Sequence, residues 1–475
     1  MSDSAARRPA RGGLALAATG AAVFMVVLDN LVVTTALPSI RTDLGASINQ
    51  LGWLVNAYTL SFAVLLLTGA SLGDLFGRRR VFLIGLGIFT AASLAAGLAP
   101  SSEALIAARA IQGLGAALVM PLSLTLLSAA FPAEKRGLAL GIWFGISGTA
   151  VALGPVVGGA IVDGLSWHWI FFLNVPVGLA VIPFARAALD ESYGSDRTLD
   201  LPGLLLASSG LFGIVWGIVR GHDQGWTSPE ILTSLAAGLL LLVLFVAWEA
   251  RAASPMLPLR LFRSRAFSAA NGVSLLMSFG IFGSIFLLAQ FLQTGQGYSA
   301  FDAGVRTLPW TLMPMFVAPV AGVLSSRIGG RPLLVAGLAL QAIAMAWLAL
   351  ITTPTVPYSS LIVPFALAGV GMALVFAPVA NIVLSSVAED EQGKASGVNS
   401  TMREIGGALG VAVLASVFTA NGSLATPQSY ADGLIPAVWV GAGVLAVGSL
   451  LALAVPGKQR RARESSSLDP ALAVE

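Results

Sequence analysis

Long apolar runs separated by short polar loops define the pattern of this chain. Fourteen runs are close to the roughly 20 residues that a helix needs to cross a hydrocarbon core of about 30 Å. A helix satisfies its own backbone hydrogen bonds in lipid, so we predict an all-α membrane protein with a transmembrane helix at each run. The predicted spans are 14–36, 51–72, 81–99, 104–128, 137–161, 169–188, 202–219, 230–248, 266–292, 304–325, 332–352, 359–384, 397–420 and 434–455.

Arg and Lys residues lie mostly on one side of these spans. If the N-terminus is cytoplasmic, the basic residues of nearly all loops and of both tails face inside, and the outer side keeps little beyond Arg41 and Arg220. Because cytoplasmic loops carry such an excess, we predict both termini in the cytoplasm. The first run follows Arg7, Arg8 and Arg11 but is too long for the apolar part of a signal peptide, so we expect it to be retained as span 1.

A short motif occurs twice in the chain. The loop after span 2 reads ASLGDLFGRRR at residues 70–80, and the loop after span 10 reads GVLSSRIGGRP at residues 322–332, so Gly77 aligns with Gly329 and Arg79 with Arg331. This offset of 252 residues predicts a duplication, in which the first and last six spans form equivalent bundles with two spans inserted between them. In transporters built from such repeats, the binding site lies near mid-membrane at the repeat interface.

The repeat also sets the predicted domain layout. The polar, turn-rich segment 186–203 has the composition of a linker. We predict a cytoplasmic tail (1–13), an N-terminal six-helix bundle (14–189), a linker (190–201), two inserted helices (202–250), a second linker (251–265), a C-terminal six-helix bundle (266–455) and a second cytoplasmic tail (456–475).

Composition supports a membrane protein and excludes other classes. Hydrophobic residues make up 56% of the chain and charged residues only 10%, whereas about a quarter of a soluble protein is charged. With no Cys and two His residues, disulfides and Cys-ligated metals are excluded and a His-based metal site is disfavoured. The net charge of +3 reports loop topology and indicates no nucleic-acid partner. No Gly-x-x-x-x-Gly-Lys-Ser/Thr loop occurs, so ATP-driven transport and an enzymatic role are disfavoured.

Two charged residues fall well inside predicted spans. Asp29 interrupts the apolar stretch VVLDNLVVTTALP of span 1, and Arg109 lies in LIAARAIQGLGAALVMP of span 4. Such a charge costs about 2.5 kcal/mol or more in lipid, so each should face the interior and have a partner. Gln112 and Gly113 follow Arg109 at helical spacing and share its face.

Small residues mark span 5. In LGPVVGG at residues 153–159, Gly154 and Gly158 are four apart, as are Pro155 and Gly159. This spacing predicts one smooth helix face that a neighbour can approach closely, with a bend at the proline.

A further pair of charges lies in span 13. Arg403 and Glu404 are adjacent in the segment MREIGG. Neighbours in sequence point about 100° apart on a helix, so the two need not pair with each other. An Arg–Glu contact that fixes helix packing remains the alternative interpretation.

These motifs resemble those of the major facilitator superfamily, in its fourteen-span drug:proton antiporter branch, over nearly the full length. Segment 105–115 matches the family's Leu-x-x-x-Arg-x-x-Gln-Gly-x-Gly at every named position, and 154–159 matches its antiporter signature Gly-Pro-x-x-Gly-Gly. WHWIFFLNVPVG at 167–178 resembles the branch's Trp-Arg-Trp-Ile-Phe-x-x-Asn-x-Pro-x-Gly. Segment 70–79 resembles the family's cytoplasmic loop signature, with Ala70 and Leu75 as departures.

The resemblance implies a conformational gate in the cytoplasmic loops. The candidate gating residues are Asp74, Gly77, Arg78, Arg79 and, in the second repeat, Arg327. A carboxylate can accept from helix N-termini or pair with a cation, and arginines can bind helix C-termini and lipid phosphates. Alternatively, these loops carry only the positive charge that orients the protein.

The resemblance also ties Arg109 to proton coupling. Burial favours the protonated form of a carboxylic acid and a nearby cation favours the ionised form, so Asp29 could load a proton on one side and release it on the other. We hypothesise that proton and cationic drug compete for Asp29, with Glu404 as an auxiliary site and Arg109, beside Gln112, controlling release. The alternative is that Arg109 forms a static polar link between helices.

The leading functional hypothesis is proton-driven export of hydrophobic, often cationic drugs by alternating access. A dedicated exporter of one metabolite or self-made antibiotic is the alternative, and the Gly154-Pro155 motif argues against a nutrient symporter. We expect no cofactor beyond the proton gradient, and small molecules, protons and lipids as partners. The expected location is a bacterial cytoplasmic membrane, with the protein as a monomer.

Overall fold

The computed structural model describes residues 4–194, 199–252 and 255–457, and this part of the chain is helical without a strand. Its α-helices are α1 (Ser4–Leu44), α2 (Ile48–Phe76), α3 (Arg78–Gly97), α4 (Ser102–Ala130), α5 (Ala133–Gly164), α6 (His168–Phe172), α7 (Asn174–Ala188), α8 (Leu201–Gln224), α9 (Pro229–Glu249), α10 (Arg265–Gln290), α11 (Ala300–Thr311), α12 (Met313–Ile328), α13 (Gly330–Ile351), α14 (Tyr358–Ser385), α15 (Gln392–Asn421) and α16 (Pro427–Ala452). Short turns of other helix types cover Leu259–Arg263, Phe291–Gly295 and Glu389–Glu391.

Fourteen helical segments are long and apolar enough to cross a membrane, which confirms the predicted number of spans. Two of them are divided: α6 and α7 form one span and α11 and α12 another. Each break, at Leu173 and at Leu312, lies two or three residues before a proline. Because proline lacks an N–H and its ring clashes with the preceding turn, it interrupts the helical hydrogen bonds there.

The helix α15 begins earlier than the hydrophobic pattern predicts. Residues 392–396 are polar or small, so the span was expected to start at 397, yet they are helical and buried. They pack against protein rather than lipid, which a hydropathy pattern cannot distinguish. Arg403 and Glu404 therefore lie well inside the helix.

Helices α1 to α7 pack mainly on one another, as do α10 to α16. We call the boundary between these two sets the seam. Helix α5 crosses it to pack along α12, and α2 crosses it to pack along α15. Helix α9 packs on α8, and α8 contacts both α2 and α15. The division into two equivalent bundles, the domain boundaries and the orientation of the termini stay predictions, and parts of both linkers and of both tails lie outside the described residues.

The two copies of the loop motif adopt the same backbone geometry. Gly77 joins α2 to α3 with a φ of 103°, and Gly329 joins α12 to α13 with a φ of 87°. Positive φ angles strain residues with a side chain, so glycine is the suitable residue for these one-residue breaks. The offset of 252 residues read from the sequence thus aligns two structurally matching loops.

Candidate functional site

A buried ion pair joins α1 to α4 near the middle of span 1. Arg109 Nη1 lies 2.6 Å from Asp29 Oδ2, and both side chains are fully buried. The two residues are thus partners, as the cost of an isolated charge in lipid requires. Removing one member of such a pair leaves the other charge buried without compensation, which costs about 3–5 kcal/mol.

Neutral amides complete the surroundings of the Asp29 carboxylate. Gln112 Nε2 donates to Asp29 Oδ1 at 2.8 Å, and Asn174 Nδ2 donates to the same oxygen at 2.6 Å. Both amides also donate to Ser93 Oγ on α3, while Gln112 Oε1 accepts from Arg109 Nη1 at 2.7 Å. The carboxylate therefore receives hydrogen bonds from α4 and α7 at once.

The sequence analysis placed Gln112 on the same helix face as Arg109, but it did not identify Asn174 or Ser93 as part of the site. Asn174 is the asparagine of the WHWIFFLNVPVG segment, which was interpreted only as a resemblance to the branch. Its signal was a polar residue at the start of an apolar helix. Ser93 carries no such signal, because a serine in a membrane helix can hydrogen-bond its own backbone.

The Arg109 guanidinium has contacts beyond Asp29. Its Nε donates to the Leu54 carbonyl at 3.3 Å, and its Cζ lies 4.2 Å from the centre of the Tyr58 ring, both on α2. Its Nη2 has no hydrogen-bond partner within the described part of the chain. Helix α2, which carries Tyr58, packs along α15 across the seam. Tyr58 thus links the buried pair to a helix that contacts the other set.

Arg403 and Glu404 lie near the middle of α15 and are half-buried. Among the described residues, neither forms an ion pair, so this structure does not contain the Arg403–Glu404 salt bridge of the alternative interpretation. Arg403 instead stacks on aromatic rings, with its Cζ 4.7 Å from the centre of Phe376 and 5.6 Å from that of Phe144.

The first loop motif binds the start of α15 across the seam. Arg78 Nε pairs with Asp74 Oδ1 at 2.7 Å, and both side chains are buried. The same arginine donates to the carbonyls of Glu389 and Asp390, at 3.3 and 2.9 Å. A Cβ on Gly393 would collide with the Asp74 carboxylate. We call the end of the molecule that carries these contacts the basic end.

Neighbouring residues of the loop make contacts within the N-terminal set of helices. The backbone N–H of Arg79 donates to Glu191 Oε1 at 2.8 Å, and its side chain donates to the Leu189 carbonyl at 3.0 Å. A Cβ on Gly77 would meet the Glu191 carboxylate as well. Arg327, in the last turn of α12, is exposed at the basic end. The arginine that pairs with Asp74 is Arg78, which belongs to the same loop.

The glycines of span 5 face helix α1. A Cβ on Gly154 would lie 2.6 Å from Leu31 Cβ, and one on Gly158 would collide with Thr35 Oγ1. Gly159 points elsewhere, with Phe301 of α11 as its nearest neighbour at 3.7 Å. The side chain of Pro155 lies outside the described residues. Of the residues predicted to share one smooth face, Gly154 and Gly158 pack on the helix that carries Asp29, whereas Gly159 does not.

Known proteins resemble this chain over most of its length. A family model described as Major Facilitator Superfamily matches residues 19–411 and also residues 287–470. The tetracenomycin C resistance and export protein of Streptomyces glaucescens is 36% identical over 426 residues, covering 89% of this chain and 79% of that protein. The multidrug resistance protein Stp of Mycobacterium tuberculosis is 37% identical over 425 residues, with the same two coverages of 89% and 79%.

The fold agrees with a solved structure at low sequence identity. The proton:xylose symporter XylE matches with a TM-score of 0.67 and 14% identity, over 95% of this chain and 97% of that one. This likeness shows the fold alone. From the family model and the two relatives, we conclude that the chain belongs to the major facilitator superfamily.

Proposed function

We propose that the protein exports hydrophobic, often cationic drugs or antibiotics across the bacterial cytoplasmic membrane in exchange for protons. The relatives named for resistance and export support the substrate class. The observation that carries the proton step is the Asp29–Arg109 pair, which is fully buried inside two membrane spans. A titratable residue at such a position is expensive and therefore points to function.

Protonation of Asp29 gives a physical reason for the coupling. It removes the negative member of a buried pair and leaves Arg109 without a counter-charge, at a cost of several kcal/mol. That cost disfavours the conformation seen here and favours one in which the arginine or the carboxyl reaches water. Proton binding and drug binding can thereby alternate, because the proton and the drug each stabilise a different conformation.

Alternating access across the seam supplies the movement. Asp29 is sealed from solvent in this conformation, so neither drug nor proton reaches it without a rearrangement. The hydrogen bonds of Arg78 to the turn that precedes α15 hold the basic end closed. Tyr58, which contacts Arg109, lies on α2, and α2 packs along α15, which carries the half-buried Glu404 on the other side of the seam.

The proton gradient provides enough energy for this exchange. One charge crossing 100 mV yields about 2.3 kcal/mol, and a tenfold concentration gradient requires about 1.4 kcal/mol. One proton therefore supports accumulation by tens of fold. If a monovalent cation leaves for each proton, the cycle is electroneutral and only the pH gradient drives it.

A dedicated exporter of one metabolite or antibiotic is the second candidate function. One relative is named for a single antibiotic and the other for multidrug resistance, so each functional class has a relative at similar identity. Both classes use the same machinery. A resistance panel of chemically unrelated drugs in a sensitive host separates them, because a dedicated exporter protects against one compound and its close analogues.

Transport of a cationic dye by proteoliposomes after a pH jump tests the proposal. We expect the wild type to move dye against its gradient. Asp29→Asn should lose this proton-driven transport, because an amide side chain does not bind or release a proton near neutral pH. Asp43→Asn is the control: Asp43 lies on the same helix and accepts from Trp167 at 2.8 Å, which an amide oxygen can still do. Full proton-driven export with unchanged pH dependence in Asp29→Asn would contradict the role given to this residue.

A further inference from the structure

Arg403 and Glu404 occupy a place where the two sets of helices meet. They lie about 16 Å along α15 from its first residue, at 1.5 Å per residue, so neither is close to a helix end. The arginine contacts Phe144, which belongs to α5 on the other side of the seam. The glutamate lies on the same helix, α15, which packs along α2, also on the other side.

The rings beside Arg403 form a flat aromatic stack across the seam. Phe144 and Phe376 are parallel within 6°, and their centres are 5.3 Å apart. Trp143 packs edge-on against Phe144 at 4.9 Å. Because one phenylalanine comes from each set of helices, the two rings are in contact across the boundary that must open during transport, and Phe144 is buried until it does.

The contact of Arg403 with this stack leaves its hydrogen-bonding edge unused. A guanidinium stacks through its face, while its N–H donors point outward in the plane. Arg403 Nε has no hydrogen-bond partner among the described residues, and none of the ion pairs found there includes this arginine. The side chain as a whole is half-buried, whereas Nε is enclosed in this conformation, so a ligand would reach these donors as the seam opens.

Two opposite charges without ion-pair partners are costly at this depth. Most intramembrane charges face a cavity or pair with one another, as Asp29 and Arg109 do. Arg403 and Glu404 do not pair, although they are adjacent in sequence. A ligand that carries both a cationic and an acidic group would compensate both charges at once.

We propose that Arg403 is an anion subsite of the transport site, so that the preferred substrates are amphoteric aromatic compounds. This inference rests on the proposed function and gives its substrate class. The planar part of the substrate packs on Phe144 and Phe376, and its carboxylate or phenolate accepts from the Arg403 edge. Its cationic group is held by Glu404. A carboxylate suits this arginine because it can accept two parallel N–H bonds from one guanidinium.

The test uses two rhodamine dyes that differ in one group. One is an ethyl ester, which is a cation, and the other is the corresponding free acid, which adds a carboxylate. Binding to the purified full-length protein is measured by fluorescence anisotropy, and export is measured in proteoliposomes. We expect the wild type to bind the free acid more tightly than the ester. In Arg403→Gln, the affinity for the free acid relative to the ester should fall roughly tenfold or more, as expected for a lost charge-assisted hydrogen bond.

Two further variants sharpen the result. Arg403→Lys should restore part of the preference, since it keeps the charge but not the planar fork. Glu404→Gln should weaken both dyes alike, because both carry the cation. The matched control is Arg220→Gln: Arg220 is half-buried, lies 5.6 and 5.7 Å from two tryptophan rings and also has an Nε without a partner, but it packs between α8 and α2.

The outcomes separate this inference from the proposed function. An unchanged ratio of the two affinities in Arg403→Gln, with or without loss of stability, shows a purely structural stacking role and overturns the subsite. An equal change of that ratio in Arg220→Gln overturns it as well. A wild type that exports the ester without preferring the free acid overturns the subsite and leaves the proposed function standing. A wild type that moves neither dye contradicts both.

Discussion

At the scale of single residues, Asp29 has several hydrogen-bond donors around its carboxylate, whereas a simple salt bridge supplies only one cation. The carboxylate accepts from one guanidinium and two amides, which come from α4 and α7. Hydrogen bonds to a charged group each contribute about 1.5–3 kcal/mol. The amides therefore supply hydrogen bonds to a carboxylate that is closed off from water.

Asn174 provides a test of this network. We expect Asn174→Ala to lower proton-driven export by roughly tenfold, because Asp29 loses a charge-assisted donor worth about 1.5–3 kcal/mol. Export in proteoliposomes at matched protein content measures the effect. Asn271→Ala is the control, since Asn271 is equally buried, at 2% exposure, and also makes hydrogen bonds within and between helices, donating to the Phe267 carbonyl and accepting from Asn399, but none of them with Asp29. If both variants lose export to the same degree, the effect of Asn174 is one of stability and not of coupling.

At the scale of elements, helix α5 carries two separate glycine faces. Gly154 and Gly158 face α1, as the sequence spacing predicted. A second line of glycines, which the sequence analysis did not single out, faces α12 across the seam: Gly137, Gly141, Gly145 and Gly148. Close backbone approach is a common device for packing helices in lipid. This second line allows α5 and α12 to lie in contact along much of their length.

Gly141 tests the second glycine face. A Cβ there would collide with the Ala318 carbonyl, which is backbone and cannot rotate away. We expect Gly141→Ala to lower the melting temperature and the export rate, because overpacking costs about 1–3 kcal/mol. Gly87→Ala serves as the control, since Gly87 lies in helix α3 with no atom within 4 Å of the added methyl group. A variant Gly141→Ala with wild-type melting and transport would show that α5 and α12 need not be in close contact.

At the scale of the whole molecule, the seam is closed at the basic end by several independent contacts. Besides the bonds of Arg78, Arg136 pairs with Glu389 at 3.6 Å, and Ser396 donates to the Pro121 carbonyl at 2.9 Å. Helix α8 adds to this closure, because it packs on α2 and α15 together. One hydrogen bond between Thr68 and Ser208, of 3.1 Å, links it to α2.

A cross-link across the closed seam tests alternating access. The chain has no cysteine, so a pair can be introduced without interference. A Cβ on Gly397 would lie 2.7 Å from Ala70 Cβ, and a disulfide needs about 3.5–4.5 Å between these atoms, which a small shift provides. We expect Ala70→Cys/Gly397→Cys to lose export when oxidised and to regain it on reduction.

The control for this cross-link lies within one set of helices. A Cβ on Gly85 of α3 is also 2.7 Å from Leu118 Cβ of α4. Oxidised Gly85→Cys/Leu118→Cys should keep the export rate of its reduced form, because α3 and α4 move together. If the disulfide between Ala70 and Gly397 forms and export continues, the seam need not open at the basic end.

The sequence by itself determined where the chain crosses the membrane and which charges need an explanation. Fourteen spans could be predicted because lipid imposes a length and a hydrophobicity on each helix separately. The same local logic identified Asp29 and Arg109, since a charge in an apolar run is visible without its partner. The repeated motif likewise pointed to Gly77 and Gly329. Glycine at a positive φ angle is a local requirement, which does not depend on distant contacts.

Only the tertiary structure decided which of these groups meet. Asn174, Ser93 and Tyr58 join the buried pair through contacts between residues that lie 19 to 145 positions apart in the chain, and no periodicity encodes such distances. The early start of α15 and the stacking of Arg403 on Phe144 and Phe376 likewise depend on what each helix packs against. Hydrophobic pattern reports the preference of one helix for lipid, whereas a binding site is a property of several helices together.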